Sequence, residues 1–271
     1  MTSKAAHDVS PGPISRHNVE IQRNREAWER KPALREVYRS FHRRIAARID
    51  RSIPGLIVEL GSGMGAIKEV IPDCMTTDLF QNPWLDRQEN AYKLSFTDGS
   101  VSHLILFDVW HHLRYPGTAL REFARVLAPG GRLILMEPAT SWIGRLVYGL
   151  MHPEPLGLGQ PISWEAPNGW RPEEADYFAA QGAATRIFWR GEDAARLAGW
   201  RLVEAAPFTS FEYVTTGGFS GPEINNAPLR NFVRRVAQTA DSLLAGFPRA
   251  FAVRLLVVLE KPRTAAHARV E

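Results

Sequence analysis

Residues 56–65, with the sequence LIVELGSGMG, decide the fold class of this chain. The first five form a short, branched apolar run that is typical of a buried strand. The three glycines that follow allow a tight turn and let a ligand approach the backbone, and the next helical stretch presents unpaired N–H groups. The stretch therefore predicts a strand, turn and helix unit that binds a small cofactor.

Two carboxylates near this turn bear on which cofactor binds. Glu59 lies two residues before Gly61, where it suits a ligand with a cationic amine and sulfonium and opposes a pyrophosphate. Asp78 ends the next predicted strand, 74–78, where a carboxylate can accept hydrogen bonds from ribose hydroxyls. Gly61, Gly63 and Ala66 also satisfy the dinucleotide fingerprint G-x-G-x-x-G/A, so a nicotinamide cofactor remains an alternative.

Strands and helices alternate along the chain. Apolar runs predict further strands at 104–107, 132–136, from 201 and at 253–260, and a tight turn at 129–131. Periodic apolar residues predict helices at 34–49, 66–71, 118–127, near 191–199 and at 228–244. Such alternation indicates an α/β fold with a parallel sheet covered on both faces.

Four ordered motifs within 56–138 resemble the class I S-adenosylmethionine-dependent methyltransferases, specifically the methyltransferase type 11 family. They are the acid and glycine turn at 59–65, the acid Asp78, the stretch from 90 to 113 that ends in His111-His112-Leu113, and Arg125-Val126-Leu127-Ala128-Pro129-Gly130-Gly131. The resemblance implies a Rossmann-like, doubly wound sheet of seven strands, mostly parallel with an antiparallel last strand. It also implies S-adenosyl-L-methionine as the cofactor and S-adenosyl-L-homocysteine as its product.

The resemblance assigns candidate cofactor residues one by one. It implies that the methionine part lies against Glu59, Gly61, Ser62, Gly63 and Gly65, the ribose against Asp78, the adenine against Leu79 or Phe80 and beside Asn90 and Ala91, and the transferring methyl near Asp108. Asn90 stands where the family usually has Asp, but an amide oxygen can still accept a hydrogen bond.

Candidate catalytic residues follow the third predicted strand. His111 or His112 could act as a base on a hydroxyl or an acidic carbon, because an imidazole titrates near neutral pH. The pair could equally form a wall of the site. Glu137 and His152 are further candidates, for which a solvated carboxylate and a loop histidine are the ordinary interpretations. No metal site is predicted.

Composition excludes several classes of protein. The 271 residues are 45% hydrophobic and 10% aromatic, which is too apolar for a disordered chain, and no apolar run has the length of a membrane span. The single cysteine, Cys74, favours a reducing, cytoplasmic setting. Residues 23–51 carry ten Lys or Arg and four acids, but apolar residues at helical spacing predict an amphipathic helix with a solvated basic face rather than a nucleic-acid site.

The predicted domain organisation is a flexible leader at 1–20, one domain at 21–262 and a tail at 263–271. Within the domain, 21–52 form a helical cap, 53–138 the cofactor-binding half, and 139–182 and 220–248 insertions that cover or select the substrate. The leading hypothesis is a methyltransferase acting on a small molecule, such as a glycan precursor or secondary metabolite. The alternatives are an NAD(P)-dependent oxidoreductase and a non-catalytic partner protein that binds S-adenosylmethionine. The oligomeric state stays open.

Overall fold

A computed structural model describes residues 13–222 and 224–263. The helices are α1 (Pro13–Arg30), α2 (Pro32–Ala46), α3 (Pro116–Val126), α4 (Trp142–Met151), α5 (Phe211–Thr215), α6 (Ala227–Leu244) and α7 (Pro248–Phe251). The strands are β1 (Leu56–Leu60), β2 (Met75–Asp78), β3 (Arg87–Gln88), β4 (Val101–Phe107), β5 (Leu127–Pro138), β6 (Arg201–Phe208) and β7 (Arg254–Glu260). Short 3-10 and π-helical turns lie between them.

The seven strands form one sheet in the order β3-β2-β1-β4-β5-β7-β6. Neighbouring pairs are parallel except that β7 runs antiparallel to both β5 and β6. This architecture confirms the predicted Rossmann-like sheet with an antiparallel last strand. Because β1, β2, β4 and β5 are parallel, their carboxyl ends meet at one edge, where ligands bind in folds of this class.

Both faces of the sheet are buried, as β4 illustrates. Leu104 and Leu106 pack into a cluster with α3, whereas Ile105 and Phe107 on the other face pack with α2. Side chains of a strand point alternately to opposite faces, so an uninterrupted apolar run requires helices on both sides. All seven residues of β4 are buried.

The basic region at 23–51 is largely the docked helix that its periodicity predicts. α2 buries Leu34, Val37, Phe41 and Ile45 against the sheet. The arginines on its other face form ion pairs with acids, for example Arg39 with Glu69 and Arg43 with Glu36. Just after the helix, Arg48 pairs with Glu204 and Arg51 with Asp73. These ion pairs offset much of the positive charge of the segment.

Four sequence predictions need correction. The leader predicted at 1–20 is helical from Pro13 onward, and residues 1–12 lie outside the described residues. β5 begins at Leu127, so the predicted turn at 129–131 lies within the strand. The helix predicted near 191–199 is a single 3-10 turn, Ala194–Leu197. The helix predicted at 66–71 is a 3-10 turn, Ala66–Glu69. Only Arg263 of the predicted tail is described.

The predicted insertion at 139–182 contains a helix that its sequence did not reveal. The hydroxyl of Ser141 caps α4 by accepting a hydrogen bond from the Gly144 amide at 3.0 Å. Tyr148 of this helix is buried, but Trp142 and Leu150 are each 77% exposed. Apolar residues on opposite faces of the helix remove the periodicity on which the prediction depends.

Candidate functional site

The glycine turn at the carboxyl end of β1 is held in a conformation that only glycine adopts readily. Gly61 and Gly63 have φ angles of +71° and +54°. A Cβ on Gly61 would lie 2.3 Å from Cγ2 of Val109, and one on Gly63 would lie 3.3 Å from Cδ1 of Ile21. Gly61 therefore permits close packing against the end of β4, and Gly63 faces α1.

Ser62 fixes the turn to the neighbouring strand. Its amide donates to the Thr77 carbonyl at 2.8 Å, and its hydroxyl accepts from the Thr77 amide at 3.1 Å. Gly65, with φ of +71°, ends the turn and precedes the 3-10 helix Ala66–Glu69. These contacts keep the carboxyl ends of β1 and β2 together.

Glu59 presents a buried carboxylate beside the turn. Its side chain is 3% exposed, and burial raises its pKa to about 7, with a further increase from nearby Asp78 that a hydrogen bond with Ser62 opposes. No Lys or Arg in the described part of the chain forms an ion pair with it. A buried carboxylate without a cationic partner fits a ligand that carries positive charge.

Asp78 and Asn82 hold the centre of the turn from the next strand. Oδ2 of Asp78 accepts a hydrogen bond from the Gly63 amide at 3.1 Å, and Nδ2 of Asn82 donates to the Gly63 carbonyl at 2.9 Å. Leu79 follows with 37% of its surface exposed. Asp78 thus lies at the predicted place, and sequence reasoning did not identify Asn82.

Asn90 joins the cofactor half to the insertion. Its amide group donates to the Pro172 carbonyl at 2.9 Å, and its amide oxygen accepts from the Tyr92 amide at 3.0 Å. Ala91, the next residue in sequence, is partly buried. The amide oxygen keeps a second lone pair, so these bonds leave the predicted contact with adenine open.

Asp108 follows β4 directly and is held by a buried arginine. It is one of two non-glycine residues with positive φ in the described chain, at +56°. Its Oδ1 lies 2.8 Å from Nη2 of Arg254, whose side chain is 1% exposed and packs over the rings of Phe41, Phe107 and Tyr213. Burial raises the pKa of Asp108, and Arg254 opposes this shift.

A second carboxylate, Glu137, orders the segment after Asp108. Its Oε1 accepts from the amides of Val109 and Trp110 at 2.9 and 2.7 Å, and its Oε2 contacts Nδ1 of His111 at 2.6 Å. Glu137 is fully buried at the end of β5. It is therefore a buried anchor and not the solvated carboxylate of the ordinary interpretation.

His111 lies between two carboxylates. Burial alone would lower its pKa, but the carboxylates of Glu137, Glu154 and Asp108 raise it to about 10. Its Nε2 is 3.3 Å from Oε2 of Glu154. Burial and the neighbouring His111 lower the pKa of His112, so the two histidines occupy different electrostatic environments.

Glu154, in the insertion at 139–182, contacts both histidines. Its Oε1 accepts from the Tyr177 hydroxyl at 2.8 Å and lies 3.6 Å from Nε2 of His112, and its Oε2 accepts from Gln181. Burial opposes ionisation, but hydrogen bonding to His111 and both imidazoles lower the pKa of Glu154 to about 2. The ligand atoms of His111, His112 and Glu154 all lie within 4.8 Å of one another, so this group could hold a metal ion.

His152 lies at the outer margin of the same group. Its Nδ1 is 3.7 Å from Oε2 of Glu154, and its side chain is 41% exposed. We use the name polar cluster for His111, His112 and Glu154. The sequence singled out the two histidines, but Glu154, Tyr177 and Gln181 carry no motif that could have identified them.

Helix α1 covers the glycine turn. Ile21 is 6% exposed and lies over Gly63, and the indole N–H of Trp28 donates to Glu69 at 3.2 Å. The guanidinium of Arg25 packs over the ring of Trp84. Helix α1 therefore covers the crevice at the carboxyl ends of the strands.

The fold and these residues agree with comparisons to known proteins. Residues 59–135 match the sequence model of a family described as a methyltransferase domain. The match, over less than a third of the chain, supports a class I S-adenosylmethionine-dependent methyltransferase domain. The matched segment contains the glycine turn, Glu59 of β1, Asp78 of β2 and the His111-His112 pair. This match opposes the oxidoreductase alternative and supports S-adenosylmethionine as the cofactor of the domain.

Solved structures described as methyltransferases share the fold. One is a SAM-dependent methyltransferase from Thermotoga maritima, 15% identical, with a TM-score of 0.53, covering 92% of this chain and 99% of that one. Another comes from a complex of the Haloferax volcanii Trm112 methyltransferase activator with a methyltransferase, 17% identical, with a TM-score of 0.51, covering 93% and 99%. At this identity the likeness concerns the fold. No curated protein matches the sequence.

The residues at this edge of the sheet fit S-adenosylmethionine. The buried, unpaired Glu59 suits the positive charge of S-adenosylmethionine, and the glycine turn leaves its backbone free of side chains. Among the described residues, no helix is both long and apolar enough to cross a membrane.

Proposed function

We propose that this domain transfers a methyl group from S-adenosylmethionine to a small-molecule acceptor. The observation that carries the proposal is the position of the polar cluster, whose two histidines lie in the loop after β4, at the same edge of the sheet as the glycine turn. Bound S-adenosylmethionine would supply an activated methyl that passes in line from sulfur to the acceptor, with the electron pair of the broken bond left on sulfur.

The cofactor side of the site is assigned to residues of β1, β2 and the loops that follow them. We propose that Glu59 faces the cationic methionine part, that Gly61, Ser62, Gly63 and Gly65 line it, and that Asp78, Leu79, Asn90 and Ala91 hold the nucleoside. Asp108 would lie near the methyl, where its bond to Arg254 fixes its orientation. Holding the reactants in line while excluding water is the main task of such a protein.

The acceptor side is assigned to the polar cluster and the insertion at 139–182. His111 is 3% exposed, whereas the side chains of His112 and Glu154 retain 34% and 14% exposure. The cluster is thus largely enclosed by protein. Such enclosure favours a small acceptor over a nucleic acid or a protein chain. A reducing, cytoplasmic setting is part of the proposal, and the buried free thiol of Cys74 supports it.

Incubation with methyl-labelled S-adenosylmethionine and a metabolite extract tests this function. We expect one labelled small molecule, formed together with S-adenosylhomocysteine, and its mass and fragmentation identify the methylated atom. Glu59→Gln protein should form much less product. Binding of S-adenosylhomocysteine without labelling of any extract component would instead support a non-catalytic partner protein.

The raised pKa of Glu59 predicts that cofactor binding depends on pH. In the empty protein this pKa is about 7, so the carboxylate that attracts the cation is mostly protonated below that pH. The affinity for S-adenosylmethionine should rise about tenfold per pH unit as pH increases toward 7 and then level off. Isothermal titration between pH 5.5 and 7.5 measures this effect. Glu59→Gln should remove the dependence, and a slope that persists in this variant contradicts the assignment.

The position of α1 predicts that it helps to retain the cofactor. Ile21→Ser removes the apolar side chain that lies over Gly63. We expect cofactor affinity to fall about tenfold, because α1 loses this apolar contact over the glycine turn. Val19→Ser is the matched control, since Val19 lies on the same helix and is 47% exposed. Equal affinities for the two variants would rule out this role for α1.

A further inference from the structure

We propose that His111, His112 and Glu154 bind a divalent transition-metal ion of the Zn²⁺, Co²⁺ or Mn²⁺ class. The site would lie at the carboxyl end of β4, on the acceptor side of the crevice. The binding of the ion is independent of the proposed function. The role proposed for the ion, which is to hold an oxygen of the acceptor, rests on the proposed function.

The spacing of the donor atoms fits one small ion. Nε2 of His111 is 3.3 Å from Oε2 of Glu154, and Nε2 of His112 is 3.6 Å from Oε1 of the same carboxylate. Donors about 2.1 Å from a common metal ion lie about 3.0–3.4 Å from one another in octahedral or tetrahedral geometry. Small rotations of these side chains therefore complete the arrangement.

The outer contacts of both histidines direct Nε2 toward the ion. Nδ1 of His111 contacts the buried carboxylate of Glu137 at 2.6 Å, and Nδ1 of His112 contacts the Phe178 carbonyl at 2.8 Å. Metal-binding histidines commonly use their second ring nitrogen in this way, because the bond fixes the tautomer and the ring plane. With both Nδ1 atoms occupied, the two Nε2 atoms lie toward Glu154, and Nε2 of His111 is also 3.4 Å from Nε2 of Gln181.

Glu154 is oriented in the same manner. Its Oε1 accepts a hydrogen bond from the Tyr177 hydroxyl at 2.8 Å, and its Oε2 accepts one from the amide of Gln181. Gln181 itself is 2% exposed. A ligand carboxylate whose position is set by two further side chains is typical of a built metal site.

The charges around the cluster also favour a cation. Glu137 is fully buried and the side chain of Glu154 is 14% exposed, yet among the described residues neither forms an ion pair with Lys or Arg. Among the described residues, Glu137 pairs with the imidazole of His111, and Glu154 pairs with the imidazoles of His111, His112 and His152. A divalent cation would compensate two carboxylates that lie in a low-dielectric environment.

The ion would retain free coordination positions. Three protein ligands leave at least one position open, and the partial exposure of His112 and Glu154 places it toward the crevice. His152, whose Nδ1 is 3.7 Å from Glu154, offers a fourth donor at the outer margin. An acceptor hydroxyl could occupy the open position, where the ion would lower the pKa of its O–H group.

Metal binding by the full, untagged chain tests the proposal directly. After removal of metals by a chelator and dialysis, Zn²⁺ is titrated by calorimetry and Co²⁺ by visible absorption. We expect one ion per chain, a dissociation constant of about 10 µM or tighter, and cobalt d–d bands that report nitrogen and oxygen ligands. Absence of binding, or a stoichiometry far from one, would leave the cluster as a hydrogen-bonded network and overturn the proposal.

Isosteric variants locate the ion. Glu154→Gln and His112→Gln should each weaken Co²⁺ binding about 100-fold and change or abolish the d–d bands, while circular dichroism confirms that the fold is retained. Glu174→Gln is the control, because Glu174 lies on the same insertion but pairs with Arg171 at the surface. If all three variants bind Co²⁺ like the natural chain, the ion does not bind at this cluster.

Failure of this proposal is distinguishable from failure of the proposed function. One Co²⁺ bound through Glu154 with no methylated product supports the metal site and contradicts the methyl transfer. Labelled product formed at full rate by metal-free protein supports the methyl transfer and contradicts the role of the ion in it.

Discussion

Gly63→Arg is expected to weaken the binding of S-adenosylhomocysteine by at least about 100-fold. Gly63 has a φ of +54°, and its missing side chain faces the crevice beneath Ile21 of α1. An arginine there would occupy the space assigned to the methionine part and would add positive charge beside the ammonium group of the ligand. Isothermal titration measures the affinity.

Gly99→Arg is the matched control for this variant. Gly99 also has a left-handed backbone, with φ of +67°, but no atom lies within 4 Å of the position of a Cβ on it. Both variants carry the same strain of about 1–2 kcal/mol and the same added charge. Only Gly63→Arg should lose binding, and comparable affinities of the two proteins would mean that the turn does not contact the cofactor.

Glu137→Ala is expected to lower the free energy of unfolding by about 3–5 kcal/mol. The carboxylate is fully buried and accepts hydrogen bonds from the amides of Val109 and Trp110 as well as contacting His111. Its removal leaves two buried N–H groups and an imidazole without their partner. Denaturant unfolding followed by circular dichroism measures the change.

Glu174→Ala controls for the loss of a carboxylate at the protein surface. Glu174 forms an exposed ion pair with Arg171, so its replacement should change the free energy of unfolding by less than about 1 kcal/mol. Glu137→Gln keeps the side-chain volume and one acceptor oxygen. Its change in the free energy of unfolding should therefore lie between those of Glu137→Ala and Glu174→Ala. An effect of Glu137→Ala as small as that of Glu174→Ala would contradict the anchoring role assigned to this residue.

Much of the fold could be predicted because its signals are local. The run at 56–60 has the uninterrupted branched apolar residues that a strand buried on both faces requires, and β1 occupies those residues. The apolar spacing of α2 and α6 likewise gave helices close to their observed bounds. Helix α4 escaped prediction because it exposes Trp142 and Leu150, which removes the one-sided pattern.

The candidate site was predicted only in part. The glycine turn, Asp78 and the histidine pair form motifs along the chain, so the sequence could point to them. Glu154 lies in an irregular segment, and nothing near it in sequence indicates that it reaches His111. Arg254 gave a weak signal, since it interrupts an otherwise apolar run at 250–259, but its pairing with Asp108 spans most of the chain.

The stretch at 56–65 by itself determined a buried strand followed by a glycine turn that a small cofactor can approach, because backbone stereochemistry at glycine and the alternation of side chains act over a few residues. Only the tertiary structure decided which groups meet at the sheet edge. β4 and β5 pair in parallel, which places Glu137 behind His111, and the insertion then brings Glu154 to the front of both histidines. Contacts between residues so distant in sequence depend on the packing of the whole domain. A local sequence pattern therefore does not predict them.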